Sequence, residues 1–100
     1  MSEPQQPRRT LIGATSRPLL PRHIKLRHDD ARDRWTILAP ERVFTPDPIA
    51  VAVLQLCDGN RTVETIAAEL AQTYNAPQAR ILADIAALLQ DLADKGVVTA

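Results

Sequence analysis

The spacing of apolar residues changes abruptly at Asp47-Pro48, and this change restricts the chain to few folds. Before it, apolar and polar residues alternate in short runs, which is typical of half-buried strands. After it, apolar residues recur every three to four positions, as they do on one face of a helix. A block of strands followed by a block of helices indicates an α+β fold.

Three strands are predicted before this point. Ile24 and Leu26 alternate with polar neighbours in the first strand, and Trp35 and Ile37 do so in the second, where we expect Trp35 to pack in the core. Residues 42–45 make a short third strand. Brief connections favour an antiparallel meander whose third strand lies at an exposed edge.

Three helices are predicted after Asp47-Pro48. Asp47 and Thr62 are suited to cap the first two helices, Pro77 begins the third, and Gly96 ends it. The apolar positions of these helices are Ile49, Val53, Leu54 and Leu56, then Val63, Ile66, Ala67, Leu70 and Tyr74, then Ile81, Leu82, Ile85, Leu88, Leu89 and Leu92. A tight turn between the second and third helices gives the outline of a winged helix-turn-helix.

Residues 1–21 are predicted to be a flexible tail or linker, and residues 22–100 to form the folded domain. The first segment is rich in proline and has few large apolar side chains. It lacks the apolar stretch of a signal peptide. No apolar run in the chain reaches the roughly 18 residues of a membrane helix. We therefore expect a cytoplasmic protein.

Charge is unevenly distributed, although the formal net charge is zero. Residues 1–42 carry nine basic and five acidic side chains, whereas residues 43–100 carry three and seven. A DNA-binding winged helix needs basic or amide side chains near the start of its recognition helix, but Gln78 and Arg80 are set against Asp84 there. DNA binding is therefore only an alternative, as is a structural dimerisation module with apolar helix faces buried between two copies.

Residues that could perform catalysis do not form a recognisable site. Cys57 precedes Asp58, whose charge raises a thiol pKa, so a buried structural cysteine is favoured. His23 and His28 lie five positions apart and face opposite sides of a regular strand, so they do not share a metal. The glycines are too scattered for a phosphate-binding loop. We expect no catalytic residue, no metal and no cofactor.

A surface for a partner is the function that these elements favour. An edge strand near Val43 to Thr45 has unpaired backbone groups that can accept an extended peptide as an added strand. The third helix has a wide apolar face, and the part around Ile85 and Leu88 could flank that strand as one wall of a groove. The alternative is that this face is wholly core or a dimer interface.

Residues 27–42, with the sequence RHDDARDRWTILAPER, resemble the signature segment of the PqqD family. The segments Cys57-Asp58-Gly59 and 92–96 resemble the rest of the family pattern, so the likeness covers residues 21–98. The matching positions are Arg32, Trp35, Pro40, Glu41, Asp58 and Gly59. Most of them should support the fold, with a positive φ at Gly59 and a turn contact at Asp58.

This resemblance implies a non-catalytic peptide chaperone in pyrroloquinoline quinone (PQQ) biosynthesis. Family members bind the ribosomal precursor peptide PqqA and present it to the radical S-adenosylmethionine enzyme PqqE. They are recognition elements for ribosomally synthesised and post-translationally modified peptides (RiPPs), and they add the peptide beside the third strand and third helix. The residues expected to contact it here are Arg42, Val43, Phe44, Thr45, Asp84, Ile85 and Leu88.

Two further expectations follow from this likeness. Some members resemble one half of a fusion with the oxidase PqqC, so the N-terminal tail could be the linker of such a fusion. If the peptide is added as a strand, Phe44→Pro is expected to disrupt peptide binding, because proline removes a backbone donor.

Overall fold

The protein was analysed as a computed structural model, which describes residues 10–100. Its strands are β1 (Lys25–Asp29), β2 (Arg34–Leu38) and β3 (Val43–Phe44), and its helices are α1 (Pro48–Gln55), α2 (Val63–Tyr74) and α3 (Gln78–Asp94). This order confirms the predicted α+β architecture of a three-stranded meander followed by three helices. The finer likeness to a winged helix stays a prediction.

The sheet is antiparallel and its order is β1-β2-β3. Ile37 of β2 lies opposite Leu26 on one side and Phe44 on the other. This register brings the three side chains to the inner face, where Ile37 is only 1% exposed. Among residues 10–100 no strand pairs with the outer edge of β3, so this edge is open as predicted.

The ends of the helices follow the local signals in the sequence. Asp47 accepts a hydrogen bond of 2.8 Å from a first-turn N–H of α1, and Thr62 accepts one of 3.1 Å in α2. Asn75 ends α2 in the left-handed region with φ 51°, and α3 begins after Pro77. Gly96, with φ 79°, lets the chain turn away from α3.

The core lies between the inner face of the sheet and the three helices, and it is almost wholly aliphatic. Its most buried members are Ile37, Val53, Val63, Ile66, Ala67, Leu89 and Val97. Trp35 is half-buried beside α1, at the margin of this core rather than inside it. The helices are amphipathic, and none within residues 10–100 is long and apolar enough to cross a membrane.

Residues 10–21 lie against the helices. The backbone N–H groups of Val63 and Glu64 donate to the carbonyl groups of Ser16 and Ala14, at 2.8 and 3.0 Å. These N–H groups belong to the first turn of α2 and have no acceptor within the helix. The segment supplies those acceptors, although its composition predicts a flexible tail.

The same segment also pairs with the residues that follow α3. Leu19 forms antiparallel bridges with Asp58 and Thr99, and the N–H of Gly59 donates to the carbonyl of Pro18 at 2.9 Å. These are contacts between positions far apart in the sequence, so composition alone could not reveal them. The remainder of the expected tail, residues 1–9, lies outside the described residues.

Candidate functional site

An apolar pocket of about 500 Å³ opens between the start of α1, the end of α2 and the first half of α3. Its apolar lining includes Ile49, Leu70, Tyr74, Ile81, Ile85 and Leu88, and we call it the helix pocket. Ile49 and Tyr74 are 59% and 48% exposed. Large apolar side chains held at the surface around a concave site are typical of a binding surface.

The three helix residues that the sequence analysis selected all line the helix pocket. Ile85 is only 3% exposed, so it belongs to the floor. Leu88 is half-buried, and Asp84 is exposed at the rim. The part of α3 around these residues is therefore not wholly core.

The four selected strand residues are not part of the lining of the helix pocket. Val43 is 65% exposed, whereas Phe44 is half-buried and packs against the core. The guanidinium carbon of Arg42 lies 5.1 Å from the centre of the Phe44 ring. Thr45 is exposed, and the chain reaches the pocket two residues later, at Asp47.

The β2–β3 ladder determines which backbone groups of β3 are free. Ala39 and Arg42 exchange two hydrogen bonds, of 2.9 and 3.4 Å. Because bonded and non-bonded pairs alternate in an antiparallel ladder, Val43 belongs to a non-bonded pair and Phe44 to a bonded one. The N–H and C=O of Val43 therefore point to the open edge. The expectation that Phe44 offers the donor at this edge is wrong, because its N–H faces β2.

The chain from Arg42 to Asp47 contacts the end of α3 and then reaches the helix pocket. A guanidinium nitrogen of Arg42 donates to the carbonyl of Lys95 at 3.3 Å, and Asp47 and Asp84 both line the helix pocket. The helix rises about 16 Å from Asp84 to Lys95. The five steps of extended chain from Arg42 to Asp47 span at most about the same length, so the two segments can run side by side. The open edge of residues 42–45 and the helix pocket therefore form one surface, which we call the β3–α3 groove.

Cys57 is not a nucleophile in this fold. Its side chain is buried, and its thiol donates to the carbonyl of Val53 at 3.3 Å. Burial raises the pKa of the Cys57 thiol to about 12, and the negative charge of Asp58 contributes further. The thiol is therefore protonated at neutral pH, which confirms the prediction of a structural cysteine.

The His28 side chain contacts both ends of the turn between β1 and β2. Its Nδ1 lies 2.7 Å from a carboxylate oxygen of Asp30, and its Nε2 lies 3.3 Å from one of Asp33. The hydrogen bond to Asp30 raises the pKa of His28 above its ordinary value, although desolvation opposes the change. Its ring meets the Trp35 ring edge-on at 5.2 Å. Within residues 10–100 no cluster of three or more His, Cys, Asp or Glu side chains could hold a metal ion.

Asp58 and Gly59 form the turn after α1. The Asp58 carboxylate accepts hydrogen bonds from the backbone N–H groups of Asn60 and Arg61, at 2.9 and 3.0 Å. These bonds lower the pKa of Asp58 below its ordinary value. Gly59 has φ 80°, and a Cβ at this position would lie 3.3 Å from a methyl carbon of Leu19. The predicted turn contact and positive φ are both confirmed.

The sequence pattern does not identify Ile49 and Tyr74 as members of the site, because both have the spacing of apolar helix stripes. Ile49 lies in the first turn of α1, and Tyr74 is the last residue of α2. Residues at a helix end are often left uncovered by neighbouring elements. The position of Ile49 and Tyr74 at helix ends was therefore the signal that could have identified them.

Comparison with known proteins places the chain in a family. The family described as coenzyme PQQ synthesis protein D (PqqD) matches residues 34–98. A PqqA binding protein of Bradyrhizobium diazoefficiens is 56% identical over 93% of this chain and 90% of its own length. Another, of Rhodopseudomonas palustris strain TIE-1, is 58% identical over 93% of this chain and 91% of its own length. The bifunctional coenzyme PQQ synthesis protein C/D of Methylorubrum extorquens is 48% identical over 89% of this chain and 24% of that longer protein.

Two solved structures are similar. The solution structure of the PqqD truncation of Methylobacterium extorquens PqqCD, a stand-alone RiPP recognition element, has a TM-score of 0.79 and 47% identity, and the match covers 91% of this chain and 97% of that one. The crystal structure of PqqD from Xanthomonas campestris has a TM-score of 0.55 and 40% identity, and the match covers 86% of this chain and 96% of that one. From the family match and these identities we conclude that the chain belongs to the PqqD family.

Proposed function

We propose that this protein binds the ribosomal precursor peptide PqqA in an extended conformation along the β3–α3 groove. The observation that carries the proposal is the free N–H and C=O of Val43 at an open strand edge beside the exposed helix pocket. A strand edge supplies backbone hydrogen bonds, and neighbouring pockets supply specificity. Relatives that are 56% and 58% identical are PqqA binding proteins, which supports PqqA as the peptide.

In this proposal the protein acts in the cytoplasm as a non-catalytic carrier that presents PqqA to the radical S-adenosylmethionine enzyme PqqE. The buried, protonated Cys57 thiol is in keeping with a carrier that supplies no nucleophile. The recognition domain is residues 22–100, with residues 10–21 packed on it. Association with the oxidase PqqC through the N-terminal segment is part of the proposal, and the C/D relative, which unites both functions in one chain, supports it.

DNA binding has weaker support from the geometry. The first half of α3 would be the recognition helix of a winged helix. There the rim of the helix pocket carries Asp47 and Asp84 against the single guanidinium of Arg80. An excess of negative charge at this place repels the phosphate backbone.

Calorimetric titration of the full chain with synthetic PqqA tests the proposal. Ile49→Glu puts a charge at the border of the helix pocket and should weaken binding on the order of tenfold. Leu11→Glu is the matched control, because Leu11 is 71% exposed and lies outside the pocket lining. This control should bind as the unsubstituted chain does. Absence of binding by the unsubstituted chain, or an equal loss in both variants, would contradict the proposal.

A further inference from the structure

We propose that the β3–α3 groove also selects its peptide by charge: Arg42 binds an acidic side chain of the peptide, and Asp47 and Asp84 bind a basic side chain in the helix pocket. This inference rests on the proposed function and adds a recognition rule to it. The rule concerns these two charged positions, whereas the apolar lining of the helix pocket is suited to apolar side chains of the peptide.

Arg42 is held in position at one end of the groove. Its guanidinium carbon lies 5.1 Å from the centre of the Phe44 ring, and one nitrogen donates to the Lys95 carbonyl at the end of α3. A guanidinium has five N–H donors, and within residues 10–100 this hydrogen bond uses one of them. Arg42 immediately precedes β3, so the remaining donors lie within one side-chain length of the first residue of that strand. A fixed guanidinium loses little freedom when it binds a carboxylate.

The charges around Arg42 leave its guanidinium as the positive group of this end. The Lys95 ammonium is paired with the Asp91 carboxylate at 2.9 Å, so these two charges compensate each other. Glu41 lies in the turn before β3 and is exposed. Arg42 is also exposed, and exposed charges interact weakly in water, but a peptide bound beside β3 would exclude water from Arg42 and strengthen its interaction with a carboxylate.

The second charged position of the groove lies in the helix pocket and is acidic. Asp47 and Asp84 both line the helix pocket, together with Arg80, which leaves an excess of one negative charge. One oxygen of Asp47 caps α1 at 2.8 Å. The Asp84 carboxylate has no ion pair within residues 10–100, so it is available to a basic side chain.

The distance between the two charged positions sets the spacing of the two peptide charges. Lys95, which Arg42 contacts, and Asp84 lie about 16 Å apart along α3, and an extended peptide rises about 3.3 Å per residue. The two charged residues should therefore be about five positions apart. Alternate side chains of a strand share a face, so separations of four or six bring both charges to the groove.

A charge-exchange titration tests this rule. The full chain, Arg42→Glu and Asp84→Lys are titrated with synthetic PqqA and with a peptide series in which one acidic or one basic residue at a time has its charge reversed. Arg27→Glu is the matched control, because Arg27 is exposed on β1, at the other edge of the sheet. Arg42→Gln is a second variant that removes the charge without reversing it, and its loss of affinity should be smaller than that of Arg42→Glu.

At low salt, Arg42→Glu should weaken PqqA binding on the order of tenfold, with less than about twofold for Arg27→Glu. A peptide in which one acidic residue is replaced by lysine should recover affinity for Arg42→Glu. A peptide in which one basic residue is replaced by glutamate should recover affinity for Asp84→Lys, and the two replaced positions should lie about four to six residues apart. The rule is overturned if the unsubstituted chain binds PqqA but Arg42→Glu and Arg27→Glu bind alike, or if no reversed peptide recovers affinity. Failure of the unsubstituted chain to bind PqqA overturns the proposed function instead.

Discussion

The backbones of Leu19 and Thr99 exchange two hydrogen bonds, of 2.8 and 2.9 Å. This pair joins the segment before β1 to the residues that follow α3. The same segment contacts the outer side of α3, where the Gln90 side chain accepts from the Ile12 N–H at 2.9 Å and donates to the Thr10 carbonyl at 2.8 Å. These contacts hold α3 on the side away from the helix pocket, so the N-terminal segment helps to fix one wall of the groove.

Removal of residues 1–17 should therefore destabilise the domain. It deletes the Ser16 and Ala14 carbonyls that accept from the first turn of α2, and it leaves both polar groups of the Gln90 side chain without these partners. The free energy of unfolding should fall by about 2–4 kcal/mol, measured by urea denaturation followed by circular dichroism. Removal of residues 1–9 deletes none of these bonds and is the control. Equal stability of the two truncations would show that the contacts contribute nothing.

Proline substitutions should separate peptide binding from folding on β3. Val43→Pro removes an N–H at the open edge, where proline is tolerated, and should weaken PqqA binding at least tenfold with a stability change below about 1 kcal/mol. Phe44→Pro removes an N–H that faces β2 and should destabilise the sheet. Calorimetry and thermal unfolding of both variants, with Val43→Ala as the control for the side chain, make this comparison. Full affinity in Val43→Pro would exclude hydrogen bonding of the peptide to this N–H.

The protonation of His28 should depend on Asp30. The hydrogen bond between them raises the His28 pKa above 6.5, and Asp30→Asn should lower it. Because the folded pKa is raised, the contribution of this pair to stability is present below pH 6.5 and is lost as the pH rises through the folded pKa. A proton NMR titration of the imidazole signal measures the pKa directly. The same pKa in both proteins would show that Asp30 does not act on the ring.

Cys57 should make the fold sensitive to alkali. Its folded pKa, about 12, lies above the ordinary value of 9.0, so the thiol ionises more readily in the unfolded chain. Its contribution to stability is complete below pH 9 and is lost as the pH rises from there towards 12. Between pH 8 and pH 10 the free energy of unfolding should fall by about 1 kcal/mol more than in Cys57→Ala. Urea denaturation at both pH values checks this, and an identical fall in the variant would contradict it.

Much of the fold could be predicted because its signals are local. Asp47 and Thr62 cap helices through bonds to residues three positions away, and the alternation around Ile37 identifies a buried strand face. Gly59 and Gly96 mark two of the positive φ values at turns. Such features depend on a few neighbouring residues, which the sequence displays directly.

The parts that could not be predicted depend on residues distant in the chain. Ser16 and Ala14 have no local property that identifies them as acceptors for α2. Tyr74 has the spacing of a core residue, and only the arrangement of three helices leaves it exposed. The outward N–H of Val43 follows from the pairing of Ala39 with Arg42, a detail of register that composition does not encode.

Amide NMR of the isotopically labelled full chain during titration with synthetic PqqA tests whether PqqA pairs with the open edge of β3 beside α3, and duplex DNA is the control. The largest shifts should fall on Val43, Thr45 and residues 81–88, and DNA should cause none of them. Shifts confined to β1, no response to PqqA, or the same response to DNA would contradict this pairing.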